Sequence, residues 1–154
     1  MAAPVNESAG QCTSAEPRQT VRRFLDAVLW AEHVTVWELL TPDAREVALG
    51  VAARRGLDAV AAERARQGTW TDTERDALLG ALVRGLSVDL SGADLDEVDI
   101  GPVVAQTDGR VIVELAATAP LADVITAGRG WPICRVVLAP GSTNRPWLVD
   151  RIVR

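Results

Sequence analysis

The chain has 154 residues, 48% of them hydrophobic and 24% charged, with a formal net charge of −5 at pH 7. That is the mixture of a single globular unit long enough to bury a core. The acid excess argues against nucleic acid or an anionic membrane surface as partner, because both demand clustered positive charge. Lysine and tyrosine are absent, so all sixteen basic residues are arginine, which removes lysine Schiff-base chemistry and a tyrosine proton donor. With so much alanine beside it, the arginine bias reads as the coding habit of a GC-rich genome rather than as selection for arginine recognition.

Residues 1–15 are rich in Ala, Ser, Asn and Gly and carry no apolar period, the pattern of a mobile tail. The N-terminus lacks the basic start and apolar stretch of a signal peptide. No apolar run reaches the roughly 18 residues needed to span a bilayer. The expectation is a cytoplasmic protein with no cofactor and no metal. The two cysteines, Cys12 and Cys134, form neither a metal cluster nor a disulfide framework, and whether they bridge depends on geometry that sequence does not contain.

Order is expected from near Pro17. Val21, Phe24, Leu25, Val28 and Leu29 follow the i, i+3, i+4, i+7, i+8 rule of an amphipathic helix, with Arg22, Arg23 and Asp26 towards water or a rim. A short second helix over Val34 to Leu40 stops at Thr41 and Pro42, which restart the chain as N-cap and first residue of a third. The third runs to Arg55, with Gly56 as its stop. Asp58 caps a fourth that ends at Gly68. Thr71 and Glu74 form a capping box for a fifth helix over Asp72 to Arg84, stopping at Gly85.

Beyond Ser91 and Gly92 the apolar period changes from helical to alternating. Val98 to Ala105 and Arg110 to Thr118 are expected to pair antiparallel across the Asp108-Gly109 turn, with Pro102 marking an edge or a bulge. Trp131 to Ala139 and Pro146 to Val153 make the third and fourth strands, joined by turn residues Pro140, Gly141, Ser142 and Asn144. The segment from Ala119 to Gly130 has room for a helical turn at Leu121 to Ile125. Helices first and strands afterwards make an α+β fold: N-terminal helices packed on a C-terminal antiparallel sheet of about four strands, all within residues 16–154.

The first helix PRQTVRRFLDAVLWAEHVTVWELLTPDAR, the short Trp37-containing second helix with its Thr41-Pro42 stop, and the closing strand GSTNRPWLVDRIV resemble the NTF2-like superfamily, the SnoaL-like or cystatin-like α+β cones, in a bacterial form. The resemblance covers about residues 17–154. It implies a curved sheet wrapped around the first helix, an internal pocket open at one end, and dimerisation through the outer face of the sheet. It implies no particular activity, because that fold hosts isomerases, hydrolases, cyclases, dehydratases and non-catalytic members. Residues 57–86 stand out as a helical insertion where the mouth of such a pocket would lie.

The residues that could carry chemistry are few. His33, the only histidine, follows Glu32 and precedes Glu38, so it is either a general base oriented by a carboxylate or a helix-end histidine with a packing role. The carboxylates in question are Asp26, Glu38, Glu114 and Asp150. Glu114 points either into a pocket or to solvent, and Arg135 offers it or Asp150 a cross-strand partner. Trp30, Trp37 and Trp131 are either walls of an apolar ligand pocket or core and interface filler. Gly128-Arg129-Gly130 lacks the strand-to-helix context of an anion loop. Two functions follow: a non-catalytic homodimer that binds a small apolar ligand or a protein partner, or a small isomerase, dehydratase or hydrolase that uses His33 with Glu114 or Asp26.

Overall fold

The computed structural model describes residues 15–90, 98–117 and 131–153. Among them the helices are α1 (Ala15–Leu29), α2 (His33–Glu38), α3 (Pro42–Arg54), α4 (Ala59–Gln67) and α5 (Asp72–Asp89); the strands are β1 (Val98–Ala105), β2 (Val111–Ala117), β3 (Trp131–Ser142) and β4 (Arg145–Val153). The strands form one antiparallel meander in the order β1-β2-β3-β4, so the α+β layout read from the sequence is the one observed. No described helix is long and apolar enough to cross a membrane. The expected N-terminal tail, a Cys12–Cys134 bridge, the helical turn at Leu121 to Ile125 and the Gly128-Arg129-Gly130 segment lie outside the described residues.

Local chemistry places the helix starts. The Thr41 and Asp58 side chains accept from the backbone N–H groups of Ala44 and Ala61, and Thr71 and Glu74 close a complete capping box, each satisfying donors that a helix start leaves orphaned. Gly68 ends α4 in the left-handed conformation at φ 71°. Two expectations are corrected. Helix α5 runs through Gly85 to Asp89, because Leu82, Leu86 and Leu90 continue its apolar seam into the core and outweigh the roughly 1 kcal/mol that an interior glycine costs. Leu29 is 36% exposed; the chain leaves the helix at Trp30, and Ala27, fully buried, takes the place in the seam.

Helix α1 lies on the inner face of the sheet with Val21, Phe24 and Leu25 completely buried. Inner-face residues stack in rows across the strands, among them Ala105–Val111–Leu138–Val149 and Val103–Val113–Val136–Ile152. Both sheet edges are engaged in part, which shortens the template an open edge offers to another chain. Arg18 and Arg22 of α1 donate to the carbonyls of Ile100 and Val98 on β1, at 2.7 and 2.8 Å. On the opposite edge the chain between α2 and α3 forms a parallel bridge, Leu40 to Val149: Val149 N–H donates to Leu39 C=O at 2.7 Å, and Thr41 N–H donates to Val149 C=O at 2.9 Å.

Irregularities in the ladder bend the sheet and re-aim side chains. Pro102 sits in an edge strand where the register shifts between Ile100 and Val103, as its missing N–H requires. The β3–β4 connection is tighter than expected: Pro140 to Ser142 remain in β3, and the turn is Thr143–Asn144. Gly141 makes this possible, because a Cβ there would collide with the Arg145 carbonyl. In β4, Val137 pairs with Arg151 and Leu138 with Val149, so Asp150 is the extra residue of a bulge.

Candidate functional site

The site begins with a stripe on α3. Ala44, Val47, Ala48, Val51, Ala52 and Arg55 recur at i, i+3, i+4, i+7, i+8, i+11 and therefore share one helix face. A matching stripe on α5 carries Ala77, Ala81 and Gly85, with Leu78, Leu82 and Leu86 beside it. Small side chains on both facing stripes leave the two helices unjoined over their length. Phe24 from α1, with Leu40, Val149 and Ile152 from the β4 edge, lines the space between them. The result is an open apolar groove of about 710 Å³, within the roughly 300–1,000 Å³ of small-molecule sites. The insertion expected at 57–86 contributes the α5 wall and Leu57, whereas α4 contributes no lining residue.

Charge enters the groove from Arg55, Asp89, Asp150 and Arg151. The bulge that displaces Asp150 from strand alternation turns it towards the start of α3. There it accepts from Thr41 Oγ1 at 3.0 Å, while the same hydroxyl accepts from Ala44 N–H at 3.0 Å. Arg110 Nε lies 3.4 Å from the other Asp150 oxygen; it attracts that carboxylate electrostatically but is buried without an aligned hydrogen bond. Arg110 also donates to Asp108 at 2.8 Å, and this contact holds the Asp108 carboxyl below the usual carboxylate range. Asp150 is thus a tethered structural carboxylate, joined to Thr41 and Arg110 rather than to the expected Arg135, which sits opposite Val153.

The residues singled out in the sequence are not brought together. His33 opens α2 with its ring towards α5, where an added Cβ at Gly80 would stand 3.8 Å from Cε1. Asp26 faces Arg22 on the side of α1, 3.9 Å away. Glu114 is exposed on the outer face of the sheet opposite Arg135, the solvent alternative of the two its strand position offered. Glu38 pairs with Arg145 at 2.6 Å. Among the described residues none of His33, Asp26 and Glu114 is hydrogen-bonded to another, and none lines the groove.

The tryptophans divide by role. Trp30 is 70% exposed at the end of α1. Trp37 is buried, with its ring 5.4 Å from that of Trp70 and the Arg45 guanidinium 5.4 Å over its face, a packing post between helices. It borders a separate depression of about 170 Å³ with Pro42, Leu49 and Ala65. Arg45 donates to the Trp37 and Glu38 carbonyls, satisfying acceptors at the C-terminus of α2; burial is the main influence lowering its pKa. Trp131 opens β3 opposite Ala117, and the reading of its side chain as a pocket wall falls outside the described residues. The sequence signal for the groove was the α3 stripe itself, an amphipathic period built from small residues.

No family model matches the chain, and neither a curated protein nor a solved structure shows detectable similarity to it.

Proposed function

We propose that this chain is an NTF2-like binding domain without a catalytic role, acting in the cytoplasm as a homodimer and holding a small apolar ligand between α3 and α5. The observation that carries this reading is the open groove of about 710 Å³ whose walls are mostly alanine, valine and leucine and whose carboxylate Asp150 is already held by Thr41 and Arg110. Such a surface recognises hydrocarbon by burial and offers no assembled acid and base for proton transfer.

Binding to the native state must stabilise it, by about 2.7 kcal/mol at a ligand concentration a hundred times Kd. Decanol is therefore expected to raise the melting temperature in a concentration-dependent way. Ala81→Phe fills the groove from an exposed position without overpacking the core, and is expected to abolish that shift while keeping the far-ultraviolet circular dichroism of the parent. A shift that survives Ala81→Phe unchanged places decanol elsewhere and defeats the reading.

The dimer rests on the outer face of the sheet. Val104, Ile112 and Val137 form an apolar row across β1, β2 and β3, with Val104 half exposed. Ile112→Glu puts a charge at the centre of that row, where desolvating it is costly. Light scattering is expected to show a dimer for the parent chain and a monomer for this variant. A monomeric parent disposes of the dimer.

A further inference from the structure

We infer that α4 is a clasp that fixes the separation of α3 and α5, and so the fit of a ligand between them, with Arg64 and Arg66 as its positioning residues. This rests on the apolar-ligand reading above and adds a control on the same site. Helix α4 lines none of the groove, yet it is tied to both walls. Arg66 Nε donates to the two carboxylate oxygens of Glu46 on α3, at 2.9 and 3.1 Å. Two residues earlier, Arg64 donates to Glu74 in the first turn of α5 through Nε, at 3.1 Å, and through Nη2. That contact is the main reason the Glu74 carboxyl titrates below its ordinary range.

These pairs matter because α4 has little else to hold it. Its buried side chains are Ala61, Ala62 and Ala65, which offer one methyl group each, while Val60 is exposed. An isolated surface ion pair contributes little, but guanidinium groups two residues apart that each make two hydrogen bonds, one to either wall, act as a network. Gly56 and Gly68 bound the helix at φ 103° and 71°, small residues of the kind at which a short element pivots. Leu57, directly before the Asp58 cap of α4, lines the groove, so a shift of α4 is passed to the wall. An apolar ligand gains most when it touches both walls at once, and a gap of about 0.5–1 Å already forfeits a quarter to a half of each contact. The coupling is reciprocal: a seated α4 favours the ligand, and the ligand favours a seated α4.

The test uses 1-decanol, an uncharged probe that neither arginine can attract by its charge, in titration calorimetry well below the melting temperature of each protein compared. The double variant R64Q/R66Q is expected to bind decanol about fivefold more weakly than the parent, the lower end of ordinary coupling between sites. A clasp that served stability alone would lower the melting temperature and leave that affinity unchanged. Amide hydrogen exchange supplies a second readout that needs no variant to fold. In the parent without ligand, Ala59–Gln67 should exchange faster than the core of α5, through local opening, and saturating decanol is expected to slow them although they do not touch it. If R64Q/R66Q binds decanol as tightly as the parent, or if decanol leaves exchange in α4 unchanged, the clasp is overturned while the apolar groove stands. If decanol does not bind the parent, the groove reading falls and the inference with it.

Discussion

Replacing Phe24 with alanine is expected to cost about 3–5 kcal/mol of unfolding free energy, the range for deleting a buried aromatic side chain. Phe24 is completely buried in the seam of α1, with Val21 and Leu25 packed in the same core and the inner-face valines and leucines of β2 and β3 across from it. Its ring also lines the groove, so its removal joins a new void to an existing opening. Partial collapse of the α5 wall into that space would bring the loss towards the lower end of the range. Urea unfolding followed by tryptophan fluorescence measures it: the midpoint should fall at nearly constant slope, because the exposed area changes little. Phe24→Leu retains most of the volume and should recover more than half of the loss. A loss below about 1 kcal/mol for Phe24→Ala, outside the usual range for such deletions, would mean that α1 does not seat on the sheet as described. In the same variant the groove is deeper, so decanol should still bind, which separates the role of Phe24 in stability from any role in recognition.

The parts of this architecture that were legible in the sequence are those governed by neighbours within a turn or two. Thr41 with Pro42, Asp58 and Thr71 with Glu74 announce helix starts because a side-chain oxygen must meet an N–H two or three residues on, and all three starts are where that chemistry puts them. Asp108-Gly109 fixes its hairpin for a similar reason, with Gly109 at φ 83°. Gly85 misled because its local cost is small beside the burial of Leu86 and Leu90, which only the packed core reveals. The groove was hidden for a different reason. Its α3 stripe is readable at helical spacing, but an amphipathic stripe ordinarily means a packed face, and nothing local says that the opposing stripe on α5 would be made of Ala77, Ala81 and Gly85 and leave a gap. Asp150 was obscured by its bulge: alternation assigned it the face opposite Val149, and one extra residue in β4 overrode that parity.

That bulge makes Asp150→Ala the second substitution expected to have a large effect, about 2–3 kcal/mol. The carboxylate joins three elements at one point: it accepts from Thr41, which caps α3, it attracts Arg110 at the start of β2, and it stands one residue after Val149, whose N–H and C=O hold the α2–α3 connection. Its side chain is only 11% exposed, so its removal leaves the nearly buried Thr41 hydroxyl without its acceptor, at a cost of about 1–3 kcal/mol, and takes away the carboxylate that attracts Arg110. The ionic share is smaller, because Arg110 remains about a third exposed and keeps Asp108 as a partner. Asp150→Asn retains an acceptor for Thr41 and removes only the charge, so it should lose about 1 kcal/mol or less if the hydrogen bond dominates. A double-mutant cycle of Thr41→Val with Asp150→Ala isolates the shared term; residues in direct hydrogen-bond contact are expected to show a coupling of about 1 kcal/mol. Additive losses would mean that Thr41 and Asp150 stabilise the fold independently, and Asp150 would then be a carboxylate available to a ligand in the groove rather than one committed to holding α3 against the sheet.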